Sequence, residues 1–325
     1  MVYQPQARTE RNTTAIMLYV IIALIPAMAA AVWQHGIYQL GVLAVSAVAA
    51  VVFEWIYERL TGKPSTVGDL SACVTGILLA MTLPCGCPLW LPVIGDFIAI
   101  VIVKQLYGGI GCNVLNPALA GRVVLLLFFP SQMSAWTVPN SLAAYVDGAT
   151  SATPLSYLYG ESGMPVWMSL KTLFLGATGG CIGEISTLAL LAGGGYLLIR
   201  GVINWQIPAG FLGGAALTAL LTVYPGYSAG EWILCNLCSG GLALAAFFMA
   251  TDYTTSPLTS PGRLVYGIGC GILTIFLRAR GSYPEAVSFA VLTMNLLSWA
   301  LDMLFHRKPF GASRVHKTET GGAGK

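Results

Sequence analysis

Charge is what this sequence has least of. Only 9% of its 325 residues are Asp, Glu, Lys or Arg, against 56% hydrophobic, and the mean hydropathy is +0.74. Soluble domains carry about a quarter charged residues. A chain this poor in charge cannot cover a water-facing surface, so it must face lipid over most of its length. The net charge of +3 and the lack of any DNA or RNA motif give no reason to expect a nucleic-acid partner. Histidine is scarce too, with three in all. Cys85-Gly-Cys87 and Cys235-Asn-Leu-Cys238 have the look of metal pairs, but neither has a histidine nearby. Most of the eight cysteines lie in or beside apolar runs, where cysteine behaves as a small hydrophobe, so no metal site is expected. A cleavage pattern is also missing at the start. Arg8 and Arg11 precede an apolar stretch from about Ala15 to Val32, which reads as a first membrane helix.

What is present is a series of apolar stretches. Hydropathy marks ten candidate spans, at 15–33, 38–57, 70–83, 90–106, 115–130, 184–200, 206–224, 232–250, 263–278 and 284–304, several near the lower length limit for a bilayer core. The expectation is an all-α polytopic membrane protein. Residues 1–14 form a cytoplasmic N-terminal segment, 15–305 an integral membrane domain, and 306–325 a flexible cytoplasmic tail. The stretch 167–183 contains Lys171 and four glycines and reads as an interfacial or re-entrant piece, its glycines at helix-packing spacing.

Lysine and arginine set the orientation. With both termini in the cytoplasm, Arg8, Arg11, Arg59, Lys63, Arg200, Arg307, Lys308, Arg314 and Lys317 fall inside. The loop 131–166 falls outside and has none; Arg278 and Arg280 are the exceptions.

A faint internal repeat runs through the chain. "LLAMTLPCGCPLW" (78–90) is echoed by "FFMATDYTTSPLT" (247–259), with Met81 matching Met249 and Pro117 matching Pro284. Five helices per copy would make the two copies inverted, an arrangement that transporters use to place a site near the midplane. Chance matching in apolar sequence accounts for the echo equally well. The repeat alone would equally permit a solute channel or transporter.

Polar residues inside or at the edge of a membrane are functional candidates. Asp69, Asp96, Lys104, Arg122, Glu184, Asp252 and Glu285 qualify, and Arg122, two turns into its helix, needs a partner. In "GCNVLNPALAGR" (111–122) Asn116 is a natural N-cap before Pro117. Capping does not explain Asn113. Two neighbouring carboxamides offer donors and acceptors suited to the mixed edge of a heterocycle such as an isoalloxazine ring. Thr75 lies on the short helix before them; it and Thr82 are expected to bond back to their own backbone.

"DGATSATPL" (Asp147–Leu155) lies in the outer loop. A hydroxyl-rich outer loop is common, but here an acid, then Gly-Ala, then Thr-Ser, precede Ala-Thr-Pro. Pro154 pushes Thr153 into an extended conformation, which is expected to present its side chain outward between small neighbours.

The run D-G-x-T/S-S-A-T looks like the motif on which a Mg-dependent flavin transferase esterifies FMN phosphate to the last threonine. Together with "STVGDLSACVTGILLAMTLP", "GCNVLNPALAGRVVLL", "MATDYTTSPLTSPGRLVYGIGCG" and "GSYPEAVSFAVLTMN", it makes the chain resemble, from about residue 10 to 305, the D subunits of the Rnf (Rsx) ion-translocating ferredoxin:NAD+ oxidoreductases. More distantly the chain is similar to the B subunits of Na+-translocating NADH:quinone oxidoreductases. Tyr253 stands where proline is expected. The resemblance implies a bacterial inner-membrane subunit relaying electrons coupled to Na+ or H+ movement, with the flavin loop in the periplasm. It implies FMN joined through its phosphate to Thr153, with Asp147, Gly148, Thr150, Ser151 and Ala152 as recognition context. It also implies a second, noncovalent flavin, riboflavin, near Thr75, Asn113 and Asn116. The implied partners are iron–sulfur subunits, a second FMN-bearing subunit, a flavin transferase and membrane lipid.

Overall fold

A computed structural model describes residues 12–136, 153–160, 169–176, 179–280 and 286–305. Asp147, Gly148, Thr150, Ser151, Ala152, Thr178 and Glu285 lie outside the described residues, as do the tail 306–325 and most of the segments 1–14 and 131–166.

Among the described residues the architecture is helical and no strand forms. The elements are α1 (Thr13–His35), α2 (Tyr38–Thr61), α3 (Ser71–Met81), α4 (Trp90–Asp96), α5 (Pro117–Phe128), α6 (Pro130–Met133), α7 (Pro154–Tyr159), α8 (Leu170–Leu175), α9 (Thr187–Ile199), α10 (Gln206–Leu221), α11 (Ala229–Cys238), α12 (Leu242–Leu244), α13 (Ser260–Arg280) and α14 (Val287–Leu304). Two are prolonged by wider π-helical turns: α4 through Phe97–Gln105 and α12 through Ala245–Met249. Among the described residues each of the ten apolar stretches contains helix. Among the described residues four helices, α1, α2, α13 and α14, are long and apolar enough to cross a membrane. α11 and α12 add a fifth if taken as one span bent by 64°. The bend sits at Gly240 and Gly241, whose φ angles of 68° and 64° are left-handed, a conformation that glycine adopts without strain. α3, α5, α9 and α10 are shorter apolar helices.

Two kinds of contact organise the bundle. α10 and α13 approach through paired small residues: a Cβ on Gly271 would fall 2.3 Å from the Phe211 carbonyl oxygen, and one on Gly214 2.5 Å from that of Ile268. Gly210/Gly214 and Gly267/Gly271 are each four apart, the spacing that lets membrane helices touch backbone to backbone. α2 does the reverse of a soluble helix: it exposes Leu40, Val48, Val52 and Trp55 and buries the polar row Gln39, Ser46, Glu54 and Glu58 against α3, α4 with its π-helical turns, and the loops flanking α3. Packing also repeats between the halves. α2 lies on α4 and α10 on α13, while α1 packs on α9 and α5 on α14. A two-fold relation between two five-element halves would produce this pairing.

The stretch 167–183 is not one helix. α8 ends at Gly176, whose φ of 106° places it where a Cβ would strike the Ile185 carbonyl. The chain then meets the end of α3: Ile182 N–H donates to Leu83 O at 3.0 Å, and Cys181 forms a bridge with Pro84. The glycines here make turns and close backbone approaches rather than a helix-packing stripe.

Candidate functional site

One cavity of about 360 Å³ brings together all three residues singled out for a noncovalent ligand, Thr75, Asn113 and Asn116. It forms where the starts of α1 and α3 meet the loop before α5, the end of α9 and the loop after α12. Those are helix ends of one side in the alternating topology expected from the charge pattern. The walls are mostly apolar, with Met17, Val20, Leu78, Phe247 and Phe248. Small-ligand sites typically occupy about 300–1,000 Å³ with a few polar groups on apolar walls.

The polar groups are individually positioned. Asn116 caps α5 as expected, its Oδ1 accepting from Leu119 N–H at 3.2 Å, and its Nδ2 donates to Met249 O at 3.1 Å. Its side chain is therefore spent on structure. Asn113 Nδ2 donates to Thr254 Oγ1 at 3.2 Å, whereas Asn113 Oδ1 is buried with no hydrogen-bond partner. An orphaned acceptor at a cavity wall costs about 1–3 kcal/mol unless a donor reaches it. Thr75 Oγ1 donates to Ser71 O at 2.9 Å and Thr82 Oγ1 to Leu79 O at 2.6 Å, the back-bonding expected of both. Asp252, beside Thr254, accepts from its hydroxyl at 2.9 Å. Desolvation raises the Asp252 carboxyl above the usual carboxylate range, against lowering by hydrogen bonds from Thr254, Thr255 and the Tyr253 backbone. Tyr253, the departure from proline, donates its hydroxyl to Val202 O and ties this loop to the connection after α9.

Glu54 is not among the residues that the sequence singles out, yet it organises the floor below the cavity. Lys104 Nζ lies 2.6 Å from Glu54 Oε1 and 2.6 Å from Ser71 Oγ, and Gln105 Nε2 donates to the same Glu54 oxygen at 2.7 Å. The signal for it is present: Ser46, Glu54 and Glu58 recur at helical spacing on one side of an otherwise apolar segment.

At the other end stands Thr153. Its backbone is extended (φ −70°, ψ 156°), as the following proline dictates. The side chain does not point outward, however. Thr153 is only 4% exposed and caps α7, its Oγ1 accepting from Ser156 N–H at 3.3 Å. α7 is anchored by Tyr159 OH, which donates to Asn236 Oδ1 at 2.7 Å, and by Leu155, which fills the space beside Gly240. Arg278 explains its own exception to the charge pattern. It is buried and donates to the carbonyls of Asn236 (2.8 Å), Ser239 (2.9 Å) and Gly240 (3.1 Å), at and just past the C-terminal end of α11. Arg122 likewise has its partner, Cys181 Sγ, at 3.4 Å. Among the described residues no three His, Cys, Asp or Glu side chains gather as a metal-holding group.

The chain matches, over residues 1–311, the family model described as the NQR2, RnfD, RnfE family. It is 43% identical over 317 residues to the D subunit of the Na(+)-translocating ferredoxin:NAD(+) oxidoreductase complex of Acetobacterium woodii, covering 96% of this chain and 95% of that one. It is 38% identical over 322 residues to the D subunit of the proton-translocating ferredoxin:NAD(+) oxidoreductase complex of Clostridium ljungdahlii, covering 95% of each. It is also 40% identical over 325 residues to the D subunit of the ion-translocating oxidoreductase complex of Stutzerimonas stutzeri, covering 91% of each. Two of these relatives are named for different ions, so likeness alone does not select the ion.

Proposed function

The chain belongs to the NQR2, RnfD, RnfE family, and on that footing we propose that it is the flavin-carrying membrane subunit of an ion-translocating ferredoxin:NAD+ oxidoreductase of the Rnf type. It relays electrons across a bacterial inner membrane, coupled to movement of Na+ or H+. Its partners are iron–sulfur subunits, a second FMN-bearing subunit and, for maturation, a flavin transferase. Both termini face the cytoplasm and the loop 131–166 faces the periplasm.

The observation that carries the reading is the cavity at Asn113. Its buried, partnerless Oδ1 is an acceptor waiting for a ring N–H, and the neighbouring wall is aromatic and aliphatic. That combination fits the edge and faces of an isoalloxazine. A bound flavin supplies one- or two-electron transfer. In this division of labour Asn113 and Thr75 orient the ring edge. Asn116 fixes the start of α5, and Phe247 and Phe248 exclude water from the ring faces.

The covalent site rests on the motif ending at Thr153. Thr150 and Ser151 also carry hydroxyls; position in the motif selects Thr153. A phosphoester there would replace the hydroxyl proton and keep the oxygen that Ser156 N–H reaches. Because the Thr153 hydroxyl is buried at the start of α7, attachment requires that α7 lift from its seat, where Tyr159 bonds Asn236 and Leu155 packs on Gly240, or that the flavin be joined before α7 docks. Two redox stations on opposite sides would make electron passage sensitive to membrane potential, at roughly 2.3 kcal/mol per charge per 100 mV for a full crossing.

The test is flavin analysis of the purified protein. The expected result is covalent FMN on the peptide containing Thr153 together with extractable riboflavin. Protein that carries neither, when isolated from cells that contain the transferase, overturns the reading and leaves the transporter alternative.

A further inference from the structure

Ser46, in the middle of α2, has a hydroxyl with too many acceptors. Its Oγ lies 2.7 Å from the Gly76 carbonyl oxygen and 2.8 Å from Asp96 Oδ2. A serine hydroxyl carries one proton. If that proton goes to the Gly76 carbonyl, which can only accept, the short contact with Asp96 needs a proton of its own, and the carboxyl is the group that can supply it. Both Ser46 and Asp96 are fully buried, at 0% exposure, and among the described residues Asp96 forms no ion pair. Its second oxygen, Oδ1, is buried without a hydrogen-bond partner. An isolated carboxylate in such surroundings is strongly disfavoured against its neutral acid.

The packing closes the place off. A Cβ on Gly76 would fall 2.7 Å from the Ser46 carbonyl oxygen, so only a glycine lets α3 come close enough for its carbonyl to reach the serine. Beside Asp96, Gly95 is covered by Leu125 and Leu79. The charged and titratable groups on the elements packed around Asp96 are occupied or distant along their helices. Lys104, eight residues on from Asp96, is paired with Glu54, eight residues on from Ser46, about 12 Å further along the axis. Glu58 lies a turn beyond Glu54 and accepts from Thr66. Cys73 is three residues before Gly76 on α3, and Arg122 on α5 bonds Cys181.

We propose that Asp96 is a proton-binding site within the membrane domain: its neutral carboxyl donates to Ser46 Oγ, which donates in turn to the Gly76 carbonyl. The site lies on the buried polar row of α2, between Gln39 and Glu54, and gives that row a titratable group not neutralised by a cation. The ligand is a proton, taken up by the Asp96 carboxylate with no change in oxidation state of any group.

Dicyclohexylcarbodiimide tests this on the unmodified, full-length protein in detergent, because it adds to protonated carboxyls in apolar surroundings and leaves carboxylates largely untouched. Peptide mass mapping should place the adduct predominantly on Asp96, with little on Glu54, which is held in its ion pair with Lys104. Infrared spectra should show a protonated-carboxyl carbonyl band that Asp96→Asn removes and Ser46→Ala shifts, the second variant serving if the first does not fold. Adduct confined to Glu54 or Glu58 overturns the proposal. So does adduct on Asp96 seen only after sodium is withdrawn, since the resting site would then hold a cation. A carboxyl band unmoved by both variants overturns it as well.

Discussion

Lys104 Nζ sits 2.6 Å from Glu54 Oε1, with both side chains buried, and this pair joins the wide-turned end of α4 to the last third of α2. Breaking one side of a buried pair strands the other charge, at a cost of about 3–5 kcal/mol, whereas replacing both with apolar residues is often neutral. Lys104→Met is therefore expected to destabilise the solubilised protein strongly, and Lys104→Met with Glu54→Leu to recover most of the loss. Thermal unfolding of the two variants in the same detergent decides it. A single variant as stable as the parent would show that the pair is not what holds α4 to α2.

For the cavity, Asn113 and Asn116 separate by role. Asn113→Ala removes the carboxamide with the orphaned oxygen and should lower extractable flavin by about five- to a hundredfold, the equivalent of 1–3 kcal/mol, with little change in stability. Asn116→Ala should cost about 1 kcal/mol through loss of the α5 cap, and Asn116→Asp should restore the cap. Flavin extracted per mole of protein, set beside the unfolding midpoint, tells the two apart. Full extractable flavin in the Asn113→Ala, Asn116→Ala double variant would refute the site.

The Thr153 prediction follows from both its chemistry and its cap. Thr153→Val removes the nucleophilic oxygen at nearly constant shape, so covalent flavin should vanish from denaturing gels. The lost bond to Ser156 N–H should cost about 1 kcal/mol. Thr153→Ser keeps both functions and should retain the fluorescent band. Thr178, in the other Gly-Ala-Thr, lacks the rest of the motif and should carry none. A fluorescent band in Thr153→Val would mean that Thr150 or Ser151 is the attachment point.

How much of this could be read from the sequence depends on which forces act locally. Helix appears in each of the ten apolar stretches, among the described residues, because hydropathy and helical backbone satisfaction are properties of a segment alone. Pro117 and Asn116 announced the start of α5 for the same reason. The break in 232–250 was hidden: that run is apolar throughout, and only Gly240-Gly241 marked the turn between α11 and α12. For Thr153 the sequence predicts the extended backbone but not the buried side chain, since proline governs φ and ψ but α7 decides where the side chain goes. Arg278 stands against the charge pattern because the carbonyls that accept its hydrogen bonds lie at and just past the end of α11, about 40 residues earlier. Glu54 is masked by the apolar run around it, and only its helical period with Ser46 and Glu58 marks it. The π-helical turns of α4 and α12 have no signature in residue type.

Orientation has a direct test. A reporter active only in the cytoplasm, fused near Trp136, should be silent, and one fused in the loop 108–113 should be active. The reverse pattern would place the cavity on the periplasmic side and Thr153 inside.

The last prediction links Arg278 to Thr153 through the bend between α11 and α12. Gly240 has a left-handed φ of 68°, and a Cβ there would fall 2.2 Å from Leu155 Cδ1 and 2.4 Å from Arg278 Nη2. Leu155 is the second residue after Thr153, so the seat of the proposed attachment segment is built on that glycine and on the Arg278 guanidinium beside it. Gly240→Ala combines an unfavourable backbone conformation, about 1 kcal/mol or more, with a clash that must push either Leu155 or Arg278 aside. If Leu155 yields, α7 unseats and the Thr153 hydroxyl loses its fixed place. If Arg278 yields, the α11 carbonyls lose their donors. Either way the damage is confined to this end of the bundle, because the cavity at Asn113 shares no wall with Gly240. Gly240→Ala should therefore change covalent flavin content at Thr153 while leaving extractable flavin near the parent level, and both are read from one preparation by gel fluorescence and solvent extraction. Parallel loss of the two would mean that the ends are not independent and that the bend supports the whole bundle.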